Sequence, residues 1–210
     1  MSADLCTSMR ALGLVDGHAA SSTSDSMMAT PNEVLVVLSK NSSLVQSTCD
    51  KLAAVAMKEG KKAEPEVVNA LGIFEAMANE LMFAAEPYLC KHLPIMLTLA
   101  SHKLPSIRDA ATTAATAVTS KCDPNAVPEL LQVLFEAMEP GKGWQTRVLA
   151  LKIMESFDGH APEQLGQSLP EVVPQLTAAM SDAKKEVKEA VGRFYTCPLS
   201  THFAYRLPMR

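Results

Sequence analysis

The sequence predicts an all-α solenoid of antiparallel helix pairs, and three observations lead there. First, three stretches share one layout: a proline-opened apolar helix, a short polar turn, then a second helix with a basic residue and a small or apolar one three positions later. They run from Leu93-Pro94 through Arg108 to Ala111, from Val127-Pro128 through Arg147 to Ala150, and from Val173-Pro174 through Lys188 to Val191. The basic residues Arg108, Arg147 and Lys188 are 39 and 41 positions apart. Second, aromatic residues make up only 5% of the chain while Met occurs 12 times, which suits a helical core better than a sheet core rich in β-branched and aromatic side chains. Third, 48% hydrophobic and 20% charged residues over 210 positions supply a sizeable core.

Self-similarity at this period is the mark of a stacked-repeat architecture, and the spacing matches the HEAT class of paired helices, an armadillo-like right-handed superhelix. Residues 1–30 read as a disordered tail, because the Ser21 to Ser26 cluster is polar and aperiodic and cannot bury enough apolar surface to offset its ordering entropy. Residues 31–195 read as the HEAT-repeat domain. Thr30-Pro31-Asn32-Glu33 opens it as a capping box with proline at the first helical position. A second helix is expected from about Ser43 to Lys58, stopped by Gly60, and a third from Glu64 to Met82, with Val67, Leu71, Phe74 and Met77 at helical spacing. These form one or two degenerate repeats at the end of the stack.

The clear repeats follow. One helix is expected from Glu86 to Ser101, with the Ala-rich segment Pro105 to Ser120 as its partner. Asp123-Pro124 caps a helix through Met138, and a long Pro-Gly turn leads to a helix from Trp144 to Phe157. A short helix through Leu165 precedes the last pair, Leu169 to Met180 and Ala183 to Tyr195. Residues 196–210 show no helical period and read as a non-repeat tail, which suggests a fragment or a truncated or mis-spliced reading of a longer gene.

Charge and cysteine usage narrow the function. The formal net charge is −4, so there is no global basic field for nucleic acid and no DNA-binding reading. Residues 1–99 hold 7 Lys and Arg against 11 Asp and Glu, and residues 100–210 hold 12 against 12. An anionic partner must therefore meet a local patch, expected in the second half. The five cysteines are scattered and odd in number, which points to reduced, mostly buried thiols in a cytoplasmic protein. No run reaches the length of a membrane span, and the N-terminus has neither a signal-peptide nor a transit-peptide pattern.

Motifs for chemistry are missing. The histidines form no H-E-x-x-H, no Cys-His set has metal spacing, and neither G-x-S-x-G nor G-x-G-x-x-G occurs. Pro140-Gly141-Lys142-Gly143 lacks the frame of a phosphate loop and reads as a surface turn. The expectation is a non-enzymatic binding module with no cofactor and no metal site.

Three features bear on binding. Trp144, the only Trp, opens a second helix and is followed by Gln145 and Arg147; it is either a plug at the repeat junction or an exposed anchor on the turn edge. Lys184, Lys185 and Lys188 begin the last helix, either as a solvated face or as part of a basic strip. Corresponding turns stack along a solenoid, so Lys184 and Lys185 share an edge with Lys142 and Lys103, a strip able to touch phosphates. In the Arg108, Arg147 and Lys188 series, a basic residue at this repeat position pairs with an acidic group of the neighbouring repeat or faces a partner. The candidate partner-binding residues are thus Lys103, Lys142, Trp144, Gln145, Arg147, Lys184, Lys185 and Lys188.

Three blocks carry a family resemblance: Lys142 to Arg147, Ser168 to Leu176, and Asp182 to Ala190. In order and spacing they resemble the N-terminal HEAT region of fungal-type translation elongation factor 3, which has a Lys-Trp-Gln-x-Lys turn, a Met-Pro-Glu-Leu-Ile-Pro helix and an Asp-Thr-Lys-Lys-Glu-Val-Lys helix. The resemblance covers about Asn32 to Ala190 and is sharpest from Glu86 onward. It implies a ribosome-associated factor whose HEAT region contacts small-subunit rRNA and proteins. The family's ATP-binding cassettes have no counterpart here, so ATP hydrolysis is not implied. A Gcn1-type ribosome scaffold shares the repeat style. The competing readings are a TOG-type tubulin-binding module, which also carries Trp and basic residues in its turns, and a generic protein-protein scaffold.

Overall fold

A computed structural model describes residues 30–196 as helices joined by short turns, with no strand among the described residues. The two expected tails, apart from Thr30 and Thr196, lie outside the described residues. Eleven α-helices are described: α1 (Pro31–Lys40), α2 (Val45–Ala56), α3 (Glu64–Glu80), α4 (Glu86–Lys91), α5 (Leu93–Leu99), α6 (Pro105–Ser120), α7 (Val127–Ala137), α8 (Trp144–His160), α9 (Pro162–Gln167), α10 (Leu169–Met180) and α11 (Lys185–Thr196). They fall into two compact units, one of residues 30–96 and 104–121, the other of residues 97–103 and 122–196.

In the first unit the Glu33 carboxylate accepts the Thr30 N–H at 2.8 Å and closes the start of α1. Short 3-10 turns at Ser42–Leu44 and Lys61–Ala63 precede α2 and α3. Gly60 adopts φ 110° between them, a conformation that glycine reaches without a Cβ penalty. Helix α3 buries Val67, Leu71, Phe74 and Met77 and packs on α1, α2 and α6. Along α6, Ala111, Ala114 and Ala115 have no exposed surface; with only a methyl group at each, α6 lies close along α3.

The expected single helix over 86–101 is two helices. Pro94 has no N–H to continue a helical ladder, and its ring would clash with the carbonyl four residues back, so the chain turns at His92. His92 Nε2 lies 3.1 Å from Asp50 Oδ1, and Lys91 Nζ reaches the same oxygen at 3.3 Å.

In the second unit α8 is central. It folds back on α7 and also packs against α11. It buries Leu149, Ala150, Leu151, Ile153, Met154 and Phe157, which do not lie on one stripe, because neighbours cover more than one side of it. It runs three residues past the expected end at Phe157. Helix α11 has a single stripe, Val187, Ala190, Val191 and Phe194, with the intervening positions exposed. Burying each of the larger side chains contributes about 1.5–3 kcal/mol. Pro174 does not open a helix as the repeat layout suggested. It lies inside α10, which begins at Leu169 with Pro170 in its first turn.

Candidate partner-binding edge

Three turns of the second unit carry the candidate residues, and two buried polar contacts tie them together. The first joins the turn after α5 to the start of α8. Helix α8 begins at Gly143, which has no side chain to cap it. Ser101, 45 positions before Thr146, supplies the missing acceptor: its Oγ takes the Thr146 N–H at 3.1 Å. The Thr146 hydroxyl donates to the Leu97 carbonyl at 2.8 Å, so the Ser101 hydroxyl donates to Thr146 Oγ1 at 2.7 Å. All three groups are satisfied. A Cβ at residue 143 would lie 2.0 Å from Ser101 Oγ and 2.4 Å from its Cβ, so only glycine admits the serine.

The second contact joins the turn before α8 to the turn before α11. Arg147 is 8% exposed. Its Nη1 donates to the carbonyls of Lys142 and, at 3.2 Å, of Pro140, bracing the turn that carries Lys142. Its Nη2 donates to Asp182 Oδ1 at 3.1 Å, and its Nε lies 2.9 Å from Oδ2, with both side chains about nine-tenths buried. Asp182 Oδ1 also accepts the Lys184 N–H at 2.8 Å, capping the approach to α11. Burial pushes the Asp182 carboxyl up. The hydrogen bonds from Lys184 N–H and Arg147, with the charges of Arg147 and Lys188, outweigh it and hold the carboxyl below its usual value.

The structure separates the eight candidates. Lys103, Lys142, Lys184, Lys185 and Lys188 are exposed. Trp144 and Gln145 are partly buried at the first two positions of α8. Arg147 points inward: Nη1 and Nη2 donate within the chain, while Nε, close to Asp182 Oδ2, makes no hydrogen bond. On the exposed surface Lys185 pairs with Glu189 at 3.1 Å. That hydrogen bond, then the charges of Glu189 and Glu186, raise the Lys185 pKa. Arg108, the first member of the basic series, is partly buried in the first unit.

Sequence reasoning anticipated an acidic partner for Arg147 but missed Ser101 and the need for Gly143. The available signal was a helix starting after a glycine, with no capping side chain at that position. Among the described residues no three His, Cys, Asp or Glu side chains converge as metal ligands, and no helix is long and apolar enough to cross a membrane. Of the cysteines, Cys49 and Cys122 are buried and Cys90 is partly exposed; Cys6 and Cys197 lie outside the described residues.

Helix pairs recurring at this period, with a buried arginine of one pair bonded to the aspartate that leads into the last helix of the next, define a HEAT-repeat protein. The sequence model of the EF3 N-terminal HEAT repeat family matches residues 22–192. The chain belongs to that family. It is 30% identical over 179 residues to Elongation factor 3 of Phytophthora infestans, a match covering 82% of this chain and 17% of that protein. It is 30% identical over 152 residues to Elongation factor 3B of Saccharomyces cerevisiae, covering 71% of this chain and 15% of that one. It is also 30% identical over 132 residues to the eIF-2-alpha kinase activator GCN1 of Dictyostelium discoideum, covering 63% and 5%. The matched region is thus a small part of each relative.

Proposed function

We propose that this chain is a non-catalytic HEAT module that binds ribosomes in the cytoplasm through the edge formed by its turns at 101–103, 139–143 and 181–184. One observation carries the reading: the Ser101–Thr146 and Arg147–Asp182 contacts tie together three turns that each present an exposed lysine, Lys103, Lys142 and Lys184. Lys185 and Lys188 continue the positive surface along the start of α11. Glu139 and Glu186 are exposed nearby and Glu189 takes up part of the Lys185 charge, so the strip is modest. Trp144 and Gln145 open α8 on the same edge. Arg147 holds the edge in shape and does not touch the partner.

A chain of net charge −4 needs such a local strip to meet an anionic surface. The relatives named as elongation factors make the translating ribosome, with its small-subunit rRNA phosphates and proteins, the partner that fits. The sequence carries no phosphate loop and no recognised catalytic motif, and on this reading the module acts by binding.

Cosedimentation with ribosomes tests this. Three to four phosphate contacts make affinity fall roughly 20- to 150-fold between about 50 and 200 mM salt through counterion release. Lys184→Glu with Lys185→Glu weakens binding and flattens that dependence while leaving helicity unchanged. Salt-insensitive binding that survives the double reversal overturns the edge. Absence of ribosome binding at low salt overturns the ribosomal partner, and recovery of tubulin in its place favours the tubulin-binding alternative.

A further inference from the structure

Cys122 lies in the second unit just after α6, and His160 closes α8, 38 positions later. Cys122 Sγ lies 3.6 Å from His160 Nε2. The other ring nitrogen, Nδ1, lies 3.2 Å from the Ser156 carbonyl oxygen. A carbonyl only accepts, so Nδ1 carries the proton, and the neutral ring presents its Nε2 lone pair to the thiol. The ring is held from a third side by Phe157, edge to face at 5.4 Å between centroids. A thiol is thus placed against a base whose tautomer and orientation are set by the helix that carries it. Proton transfer from Sγ to Nε2 yields a thiolate beside an imidazolium, the arrangement that raises thiol reactivity.

We propose that Cys122 is a peroxide-sensitive modification site of this chain, with His160 as its proton acceptor. The thiolate attacks one oxygen of a hydroperoxide, an S–O bond forms as the O–O bond breaks, and the leaving hydroxide takes the proton held on Nε2 and departs as water. The thiol is oxidised to a sulfenic acid and the peroxide is reduced, a step that thiols reverse. His160 is partly exposed and Cys122 is 4% exposed. The charged groups flanking the pair along the chain are Lys121, Asp123 and Asp158.

The pairing and simple exposure rank the cysteines in opposite order. Exposure places Cys90 ahead of Cys122, whereas the imidazole places Cys122 first. The full, reduced chain is treated with hydrogen peroxide and dimedone at pH 7, and labelled peptides are followed by mass spectrometry. Cys122 is expected to label ahead of Cys90 and Cys49. His160→Gln lowers its rate at pH 7 about tenfold, because only a few per cent of an unassisted thiol is ionised there. Faster labelling at Cys90 than at Cys122, or a His160→Gln rate equal to the native one, overturns the proposal. The first is read on the unaltered protein and does not depend on the variant folding.

Discussion

Replacing Asp182 by alanine removes three interactions at once, and their worth can be worked from the geometry. Arg147 loses the Nη2–Oδ1 hydrogen bond and the Nε–Oδ2 contact, while its two carbonyl acceptors on the Lys142 turn remain. Removing one partner of a buried ion pair costs about 3–5 kcal/mol. The surviving carbonyl bonds and the one-tenth exposure of both side chains reduce that to roughly 2–3 kcal/mol here. The lost acceptor for the Lys184 N–H adds about 1 kcal/mol, as for a helix cap. The sum is about 3–4 kcal/mol, a drop in Tm of roughly 6–16 °C for a chain of this size. Asp182→Asn keeps the cap and loses about half as much. Thermal and urea unfolding measure the stability, and a double-mutant cycle with Arg147→Met isolates the pair, with a coupling of about 2 kcal/mol expected.

The same group sets a pH dependence. The folded-state pKa of Asp182 is depressed, so its stabilisation is complete above the ordinary carboxylate value near ~3.9 and fades as pH falls through the lower folded value. Asp182→Asn flattens that part of the acid limb. An Asp182→Ala loss under about 1 kcal/mol, or a coupling near zero, would refute the view that this pair holds the two turns together.

Two further outcomes are expected. Gly143→Ala drives a Cβ into Ser101 and lowers stability by about 2–3 kcal/mol; Ser101→Gly in the same chain recovers part of the loss because it removes both clashing atoms, and calorimetry of the two single variants and the double shows whether the costs fail to add. Cys49 stays unmodified by iodoacetamide in the folded protein at pH 8 and reacts on unfolding, because burial, then the Asp50 charge, push its thiol to about 12; peptide mapping that finds native Cys49 alkylated would contradict this.

The repeat period, the helix starts at proline and the paired-helix class were legible in the sequence, because each depends on neighbours a few positions away. Pro31, Pro105 and Pro128 stand in the first turns of their helices as expected, since proline lacks only an N–H that a helix start does not use. Pro94 obeys the same rule at the second position of α5, and so divides the helix expected over 86–101. Pro174 shows where the local rule stops, since it is carried inside α10.

The candidate edge was legible as residue types on stacked turns, but its internal order was not. Whether Arg147 faces a partner or the interior depends on Asp182, 35 positions away. Whether α8 is capped depends on Ser101, 45 positions away. Whether Cys122 meets an imidazole depends on His160, 38 positions away. Periodicity ranks positions along one helix; it does not say which side chains from separate turns arrive at the same place. That meeting is a property of the packed chain, where hydrogen bonds of roughly 3 Å select one partner among many of the same chemical type.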